Sequence, residues 1–131
     1  MPEGGTKARL LAVDDSVDSA DLVARVAAKC GYEAQATSDP MRVGALVTSW
    51  KPEILTLDLC MPEADGIDLL AVLEAAGYNG LLVIISGQDG WFRKAASRLA
   101  ETRGLKVVDD LQKPVNIAAL KELLNRLRQG E

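Results

Sequence analysis

Short apolar runs alternate along this chain with longer segments in which apolar residues recur every three or four positions. The runs at 9–13, 54–57 and 81–85 are almost continuously apolar, which is typical of strands buried on both faces of a sheet. Weaker runs at 32–37 and 105–108 predict two further strands. We therefore expect five strands, three of them deeply buried.

The segments between and after these runs have the period of amphipathic helices. Helices are predicted at about 17–30, 40–50, 67–76, 90–103 and 117–127. In the fourth, Phe92, Ala95, Ala96 and Leu99 are expected to face the core, with Trp91 partly buried beside them. Strict alternation of strand and helix predicts a parallel sheet covered on both faces, which is a doubly wound α/β domain.

The composition supports one globular domain over residues 1–131, with its core at about 7–127. The residues are 48% hydrophobic and 26% charged, which argues against disorder. Fifteen Lys and Arg against nineteen Asp and Glu give a net charge of −4, which disfavours direct binding of nucleic acid or an anionic membrane. No apolar stretch has the length of a membrane helix, and Cys30 and Cys60 form no CxxC pair, which fits a reducing cytoplasm.

The chain contains no histidine. This absence excludes Ser-His-Asp hydrolysis, Cys-His proteolysis and histidine-based metal sites. Nucleotide binding is also disfavoured, because no GxxxxGK[ST] or GxGxxG motif follows any predicted strand. Candidate chemistry must therefore depend on carboxylates, hydroxyls and amines.

Such groups follow four of the predicted strands. Asp14 and Asp15 come after the first strand, Asp58 after the third, Ser86 after the fourth and Lys113 after the fifth. In open α/β sheets, ligands bind beyond the carboxyl ends of the strands, so these side chains should converge at one edge. Three close carboxylates repel one another unless a cation lies between them, and oxygen-only ligands favour Mg²⁺, with Mn²⁺ as the alternative. An aspartate beside such a cation can accept a phosphoryl group, which a lysine and a hydroxyl would also contact.

Each of these residues also has a plain structural interpretation. Asp14, Asp15 and Ser16 could form an N-cap cluster for the helix that follows, since aspartate and serine favour helix N-termini and aspartate complements the helix dipole. Asp58 and Ser86 could belong to ordinary turns, and Lys113 could be a solvated surface lysine. Their joint placement at strand ends favours a functional site, because such residues would rarely follow four strands by chance.

The motifs around these residues resemble the receiver domain of bacterial two-component response regulators. They are Val13-Asp14-Asp15-Ser16, Leu57-Asp58-Leu59-Cys60-Met61-Pro62, Asp65-Gly66, Ile85-Ser86-Gly87 and Gln112-Lys113-Pro114, and their spacings match as well. The resemblance covers roughly residues 7–127. It implies a flavodoxin-like fold whose five-stranded parallel sheet has the order 2-1-3-4-5, with a cis bond at Lys113-Pro114.

The resemblance also implies chemical roles. Asp58 would accept a phosphoryl group from a phosphohistidine on a sensor histidine kinase or a phosphotransfer protein, which fits a chain without histidine. The implied Mg²⁺ ligands are the carboxylates of Asp14, Asp15 and Asp58 and the backbone carbonyl of Cys60. Ser86 would contact the phosphoryl oxygens as the switch hydroxyl, and Lys113 would pair with Asp58 or the phosphate.

The implied protein is a signalling domain rather than an enzyme. Phosphorylation would alter a surface made by the fourth helix, fifth strand and fifth helix, which would contact a downstream protein, an effector domain or a second copy in a homodimer. Cys60 and Gln88 would tune access to the acyl phosphate. Gln88 could orient an attacking water, or it could be a solvated loop residue.

Two features depart from the resemblance. Asp110 stands where receivers usually carry tyrosine or phenylalanine, three residues before the lysine, so the hydroxyl–aromatic rearrangement cannot operate in its usual form. No effector domain follows within the sequence, so it is either a stand-alone receiver or a piece of a longer protein. The ending Leu111-Gln112-Lys113-Pro114 is similar to receivers fused to EAL-type cyclic-di-GMP phosphodiesterases, which favours the second alternative.

Two other functions stay open at this point. A haloacid-dehalogenase-like phosphatase also uses a strand-end aspartate, Mg²⁺, a hydroxyl and a lysine. It needs a second aspartate two residues after the nucleophile, where this chain has Cys60. A phosphorylation-independent receiver scaffold is favoured only by Asp110, because the acidic residues, the serine and the lysine of the site are all present.

Overall fold

The fold is built on one parallel sheet, seen in a computed structural model that describes residues 7–58, 66–87 and 90–128, with the backbone alone at 66, 67 and 92. Its strands are β1 (Arg9–Val13), β2 (Glu33–Thr37), β3 (Ile54–Asp58), β4 (Leu81–Ser86) and β5 (Lys106–Gln112). The helices between and after them are α1 (Val17–Lys29), α2 (Val43–Ser49), α3 (Gly66–Ala75), α4 (Gly90–Thr102) and α5 (Ile117–Arg128). The strand order is β2-β1-β3-β4-β5, so the predicted doubly wound, flavodoxin-like fold is confirmed.

Helices cover both faces of the sheet because the central strands are apolar on both sides. On β1, Leu11 packs into the core beneath α2, α3 and α4, whereas Leu10 packs into the core beneath α1 and α5. On β3, Leu55 and Ile54 divide between the two cores in the same way. Full burial of such a side chain contributes ~2 kcal/mol, so the alternation holds the sheet between two helical layers. None of the described helices is long and apolar enough to cross a membrane.

Two of the described elements differ from their predicted bounds by more than a residue or two. The helix predicted at 40–50 is divided into a 3-10 turn, Pro40–Arg42, and α2. The carboxylate of Asp39 caps the turn, and Pro40 at its first position favours that start. The fifth strand continues to Gln112 rather than ending at 108. As an edge strand it has a neighbour on one side only, so charged residues there can stay partly exposed.

Ala96 is buried in α4 and Leu99 packs against the core, as predicted, whereas the side chain of Phe92 lies outside the described residues. The buried face of α4 nevertheless differs in direction from the predicted one. It is centred on Ala96 and Ala100, which lie one turn apart. Trp91 and Ala95 are also one turn apart, but measured from Ala96 they lie about 140° and about 100° round the helix. Ala95 is exposed and Trp91 is 77% exposed, so the expected core position of Ala95 and partial burial of Trp91 are wrong.

An irregularity in β5 changes the direction of its side chains. The register with β4 shifts by one residue between Val107 and Asp109, which leaves Val108 as the extra residue of a β-bulge. Val107 packs against the core beneath α4, and Leu111 packs against the core beneath α1 and α5. Residues four positions apart would face the same side of a regular strand. After the bulge, each side chain of β5 therefore points to the face of the sheet opposite to the one it would have in a regular strand.

Tyr32, directly before β2, connects the sheet to α5. Its hydroxyl donates to the carbonyl oxygen of Leu124 at 2.7 Å, and its side chain is buried. Burial raises the pKa of Tyr32 from 10.0 to about 12, because a phenolate would lose its hydration there, while the charge of Arg128 acts in the opposite direction. The neutral phenol is therefore favoured by the folded state.

We expect Tyr32→Phe to lower the free energy of unfolding by ~1 kcal/mol at neutral pH, because it removes one buried hydrogen bond. Below pH 10 the phenol is neutral in folded and unfolded chains, so this loss is fully present. Between pH 10 and about 12 the unfolded chain ionises first, so the advantage of the wild type over the variant should shrink. Urea denaturation of both chains at neutral and alkaline pH measures this, and a difference that does not change with pH would contradict it.

Candidate functional site

Three of the predicted site residues stand at the carboxyl ends of the three central strands. Asp14 follows β1, Asp58 is the last residue of β3, and Ser86 is the last residue of β4. These strands are neighbours in the sheet, so the three residues occupy adjacent positions at one edge. Asp14 is 5% exposed, Asp58 2% and Ser86 0%. The predicted convergence at the strand ends is therefore seen in the structure.

Three carboxylates at this edge are close enough to share one cation. One oxygen each of Asp14, Asp15 and Asp58 lies within 4.8 Å of the others. Asp14 and Asp58 are buried and Asp15 is exposed, so the cluster is accessible from solvent. Burial of two carboxylates at this separation raises the free energy of the folded chain unless positive charge compensates. The cluster is therefore suited to binding a cation.

Lys113 supplies part of the positive charge. Its Nζ lies 2.8 Å from Asp14 Oδ2 and 3.2 Å from Asp58 Oδ2, so one ammonium group bridges the two buried carboxylates. Burial lowers the pKa of Lys113, but its hydrogen bonds to the two carboxylates and their charges raise it by more. The ammonium group is therefore protonated at neutral pH, and the interpretation of Lys113 as a solvated surface lysine is wrong.

The backbone positions Lys113 across the edge of the sheet. Its N–H donates to the carbonyl oxygen of Ser86 at 2.9 Å, which continues the pairing of β4 with β5 beyond Gln112. The peptide bond from Lys113 to Pro114 is cis, as the family resemblance implied. The main chain thus holds the backbone of Lys113 beside β4, and its side chain extends from there to the carboxylates of Asp14 and Asp58.

The turn after β1 serves both the helix and the carboxylate cluster. Ser16 is the N-cap of α1, and its Oγ accepts the N–H of Ser19 at 3.2 Å. Asp14 Oδ1 accepts the N–H of Ser16 at 3.0 Å, while Asp14 Oδ2 contacts Lys113. The capping interpretation is therefore correct for the serine and not for the aspartates. The same turn orients Asp14 towards the cluster.

The donor set fits a hard divalent cation. Three carboxylates and one ammonium group leave two net negative charges, and each of the three acidic residues offers oxygen. Oxygen-only ligands favour Mg²⁺ or Mn²⁺ over softer metals. Cys60, whose carbonyl the resemblance implies as a further ligand, lies outside the described residues. Gln88 lies outside them as well, so both assignments stay predictions.

Asp110, at the position of the usual aromatic residue, forms an ion pair with α4. Arg93 Nε lies 3.3 Å from Asp110 Oδ1, and the two side chains are 14% and 27% exposed. Sequence reasoning did not identify Arg93. The sequence offered one signal, an acidic residue in place of an aromatic one, but it did not predict the helical stripe that Arg93 shares with Ala96 and Ala100.

The sequence matches a known protein family and resembles several curated proteins. A family model described as response regulator receiver domain matches residues 10–125. Response regulator MprA of Mycobacterium leprae (strain TN) is 29% identical over 120 residues, which are 92% of this chain and 49% of that protein. Protein-glutamate methylesterase/protein-glutamine glutaminase 2 of Anaeromyxobacter dehalogenans (strain 2CP-C) is 34% identical over 121 residues, which are 91% of this chain and 34% of that protein. The chain thus spans about half the length of the first relative and about a third of the second.

Solved structures have the same architecture. A response regulator from Colwellia psychrerythraea has a TM-score of 0.84 and 28% identity, covering 96% of this chain and 100% of that one. The receiver domain of NtrX from Brucella abortus has a TM-score of 0.75 and 27% identity, covering 93% of this chain and 99% of that one. With the family match extending over residues 10–125, the chain belongs to the response regulator receiver domain family.

Proposed function

We propose that this receiver domain accepts a phosphoryl group on Asp58 from a phosphohistidine of a sensor histidine kinase or a phosphotransfer protein. The observation that carries the proposal is the position of the Asp58 carboxylate. It is buried at the end of β3, 3.2 Å from the Lys113 ammonium group and beside two further carboxylates. A nucleophile between a fixed ammonium group and a cation site suits phosphoryl transfer, in which catalysis is mostly positioning and charge neutralisation.

In the proposed step, one carboxylate oxygen of Asp58 attacks the phosphorus atom. An O–P bond forms as the N–P bond of the phosphohistidine breaks, and the bonding electrons leave with the imidazole nitrogen. The Lys113 ammonium group neutralises charge on the transferring group, and the Ser86 hydroxyl donates to a phosphoryl oxygen. Asp14, Asp15 and Asp58 would hold Mg²⁺ or Mn²⁺, which when bound neutralises and aligns the phosphoryl oxygens.

The partner kinase is proposed to approach over α1 and the segment after β5. A cavity of about 160 Å³ there is lined by residues that include Asp14, Leu22, Lys113 and Val115. Leu22 is partly exposed, as is Ile117 at the start of α5. Apolar surface of this kind, next to a polar site, suits docking of another protein. A partner placed there would have direct access to the carboxylate cluster.

The output is proposed to pass through α4, β5 and α5. Phosphorylation would draw Ser86 towards Asp58 and shift the surface made by these elements, as a population shift biased by the new charge. Trp91 and Val108 expose apolar area on α4 and β5, which a downstream protein, an effector domain or a second copy could cover. Fusion to an EAL-type phosphodiesterase stays a prediction.

The alternative functions have less support. A haloacid-dehalogenase-like phosphatase requires a general acid two residues after Asp58, and that residue is Cys60. A phosphorylation-independent scaffold does not explain why carboxylates are buried together, since their repulsion destabilises the folded chain. Both alternatives are therefore weaker than phosphoryl transfer to Asp58.

Phosphoramidate, which has the P–N bond of a phosphohistidine, tests the acceptor residue. In the presence of Mg²⁺ it should add one phosphoryl mass to the wild type and none to Asp58→Asn, because only the carboxylate can form an acyl phosphate. Intact mass spectrometry measures the adduct. Asp68→Asn makes the same chemical change on an exposed aspartate of α3 and should keep the adduct.

A phosphoryl adduct on Asp58→Asn, or its loss from Asp68→Asn, would contradict the assignment. If the wild type shows no adduct, either the acyl phosphate is hydrolysed quickly or it never forms. Binding of beryllofluoride distinguishes these two explanations. Binding of this phosphoryl mimic would mean that the acyl phosphate is hydrolysed before detection. The absence of binding would refute the proposed function and favour a scaffold.

Mg²⁺ should stabilise the folded chain to a degree that depends on the charges around it. Lys113→Ala removes the ammonium group that shares carboxylate oxygens with the cation, so Mg²⁺ should raise the Tm of this variant more than that of the wild type. Asp15→Asn removes one ligand and should reduce the rise. A tenfold change in Mg²⁺ affinity corresponds to ~1.4 kcal/mol at saturation, or a few degrees in Tm. Thermal melts with and without MgCl₂ at matched ionic strength measure this, and equal rises in all three chains would rule out the carboxylate cluster as the binding site.

A further inference from the structure

The Arg93–Asp110 ion pair is a half-buried charge interaction that the proposed phosphoryl transfer does not use. At 14% and 27% exposure its groups are shielded from solvent, so salt screens their attraction less than that of a surface pair. The energy of such a pair depends strongly on the distance between its groups. A movement of α4 relative to β5 would therefore change its contribution.

The pair connects two segments that meet near the end of β4. Asp110 is opposite Ile84 in the register of β4 with β5, two residues before Ser86. Arg93 lies in the first turn of α4, which begins at Gly90 shortly after Ser86. The pairing with β5 thus fixes Ser86, and the ion pair holds Arg93 against Asp110.

The bulge at Val108 allows both Val107 and Asp110 to face α4. In a regular strand, residues three positions apart point to opposite faces. Here the extra residue is absorbed, and Asp109 Oδ1 accepts the N–H of Asp110 at 2.8 Å next to the irregularity. The backbone of β5 is therefore fixed in the conformation that presents the Asp110 carboxylate to α4.

We propose that the Arg93–Asp110 pair is a latch that holds α4 against β5 and opposes phosphorylation of Asp58, which presupposes the phosphoryl transfer proposed above. For the Ser86 hydroxyl to reach a phosphoryl group on Asp58, the end of β4 must move towards β3, and the first turn of α4 must move with it. That movement lengthens the ion pair. Breaking the pair is then part of the cost of the phosphorylated arrangement, so removing the pair favours that arrangement.

A simple charge effect predicts a different result from a latch. Removal of the negative charge of Asp110 would favour an anionic phosphoryl mimic, whereas removal of the positive charge of Arg93 would disfavour it. A latch predicts the same sign for both changes, because either substitution breaks the pair. The direction of the two effects therefore separates the two explanations.

The test is a beryllofluoride titration at fixed Mg²⁺, followed by ¹⁹F NMR of the chain labelled with 5-fluorotryptophan. Trp91 lies two residues before Arg93 and is exposed, so its resonance reports on the first turn of α4. Trp50, at the end of α2, is the internal reference, and Trp91→Phe assigns the two resonances. Bound beryllofluoride has its own ¹⁹F resonances, which report binding independently of the tryptophans.

Asp110→Asn and Arg93→Gln should each lower the half-saturating beryllofluoride concentration about three- to tenfold. The double variant should match the single variants rather than the product of their effects, because the pair is already broken in each of them. Asp109→Asn removes a neighbouring negative charge but keeps an oxygen for the N–H of Asp110, so it should stay within about twofold of the wild type. Circular-dichroism melts confirm that each variant is folded at the titration temperature.

The latch would be overturned if the two single substitutions changed the half-saturating beryllofluoride concentration in opposite directions, or if neither changed it. It would also be overturned if the effects of the two substitutions multiplied in the double variant. A wild type that binds beryllofluoride without any shift of the Trp91 resonance would overturn it too, since the first turn of α4 would then not move. A wild type with no bound ¹⁹F resonances at any concentration would refute the proposed phosphoryl transfer itself, and the latch with it. The two failures are therefore distinguishable.

Discussion

Burial of the central strands on both faces is the constraint on which the site depends. Because β1, β3 and β4 carry apolar side chains to two helical layers, each strand must be followed by a helix that returns along the sheet. Strands connected in this way are parallel, and their carboxyl ends meet at one edge. Asp14, Asp58 and Ser86 lie at the ends of these apolar runs, so the packing of the core also assembles the site.

The charges at that edge connect stability to chemistry. Lys113 bridges the carboxylates of Asp14 and Asp58 and compensates for part of their repulsion. Two net negative charges stay in the cluster, and they destabilise the chain while they favour a divalent cation. The protein thus accepts a local loss of stability where its proposed ligands bind, and the same ammonium group that stabilises the folded chain would neutralise an incoming phosphoryl group.

Sequence reasoning predicted the doubly wound fold and the carboxylate cluster because both depend on local patterns, namely continuous apolar runs that end at polar residues. The strand order was predicted from the family resemblance. Sequence reasoning did not predict the ion pair of Arg93 with Asp110, since that contact depends on the bulge at Val108. A register shift of one residue leaves no mark in the mixed composition of an edge strand, which also explains why β5 was expected to end too early. The buried face of α4 was misplaced because Ala95 and Ala96 are adjacent alanines, and their spacing alone does not decide which of them packs.

The bulge at Val108 has a consequence for comparing β5 with the same strand in relatives. Residues after the bulge are fixed by their pairing with β4 and by the Lys113 N–H that follows it, so their equivalents are found by counting backwards from the lysine. For residues before the bulge, the count from the lysine must include one extra position, because Val108 has no partner in β4. A relative that lacks an equivalent of Val108 would keep its equivalents of Asp110 and Ile84 opposite each other, without any change at the carboxylate cluster. An insertion or deletion at this point is therefore absorbed by the strand, and the length of β5 can vary without moving Lys113.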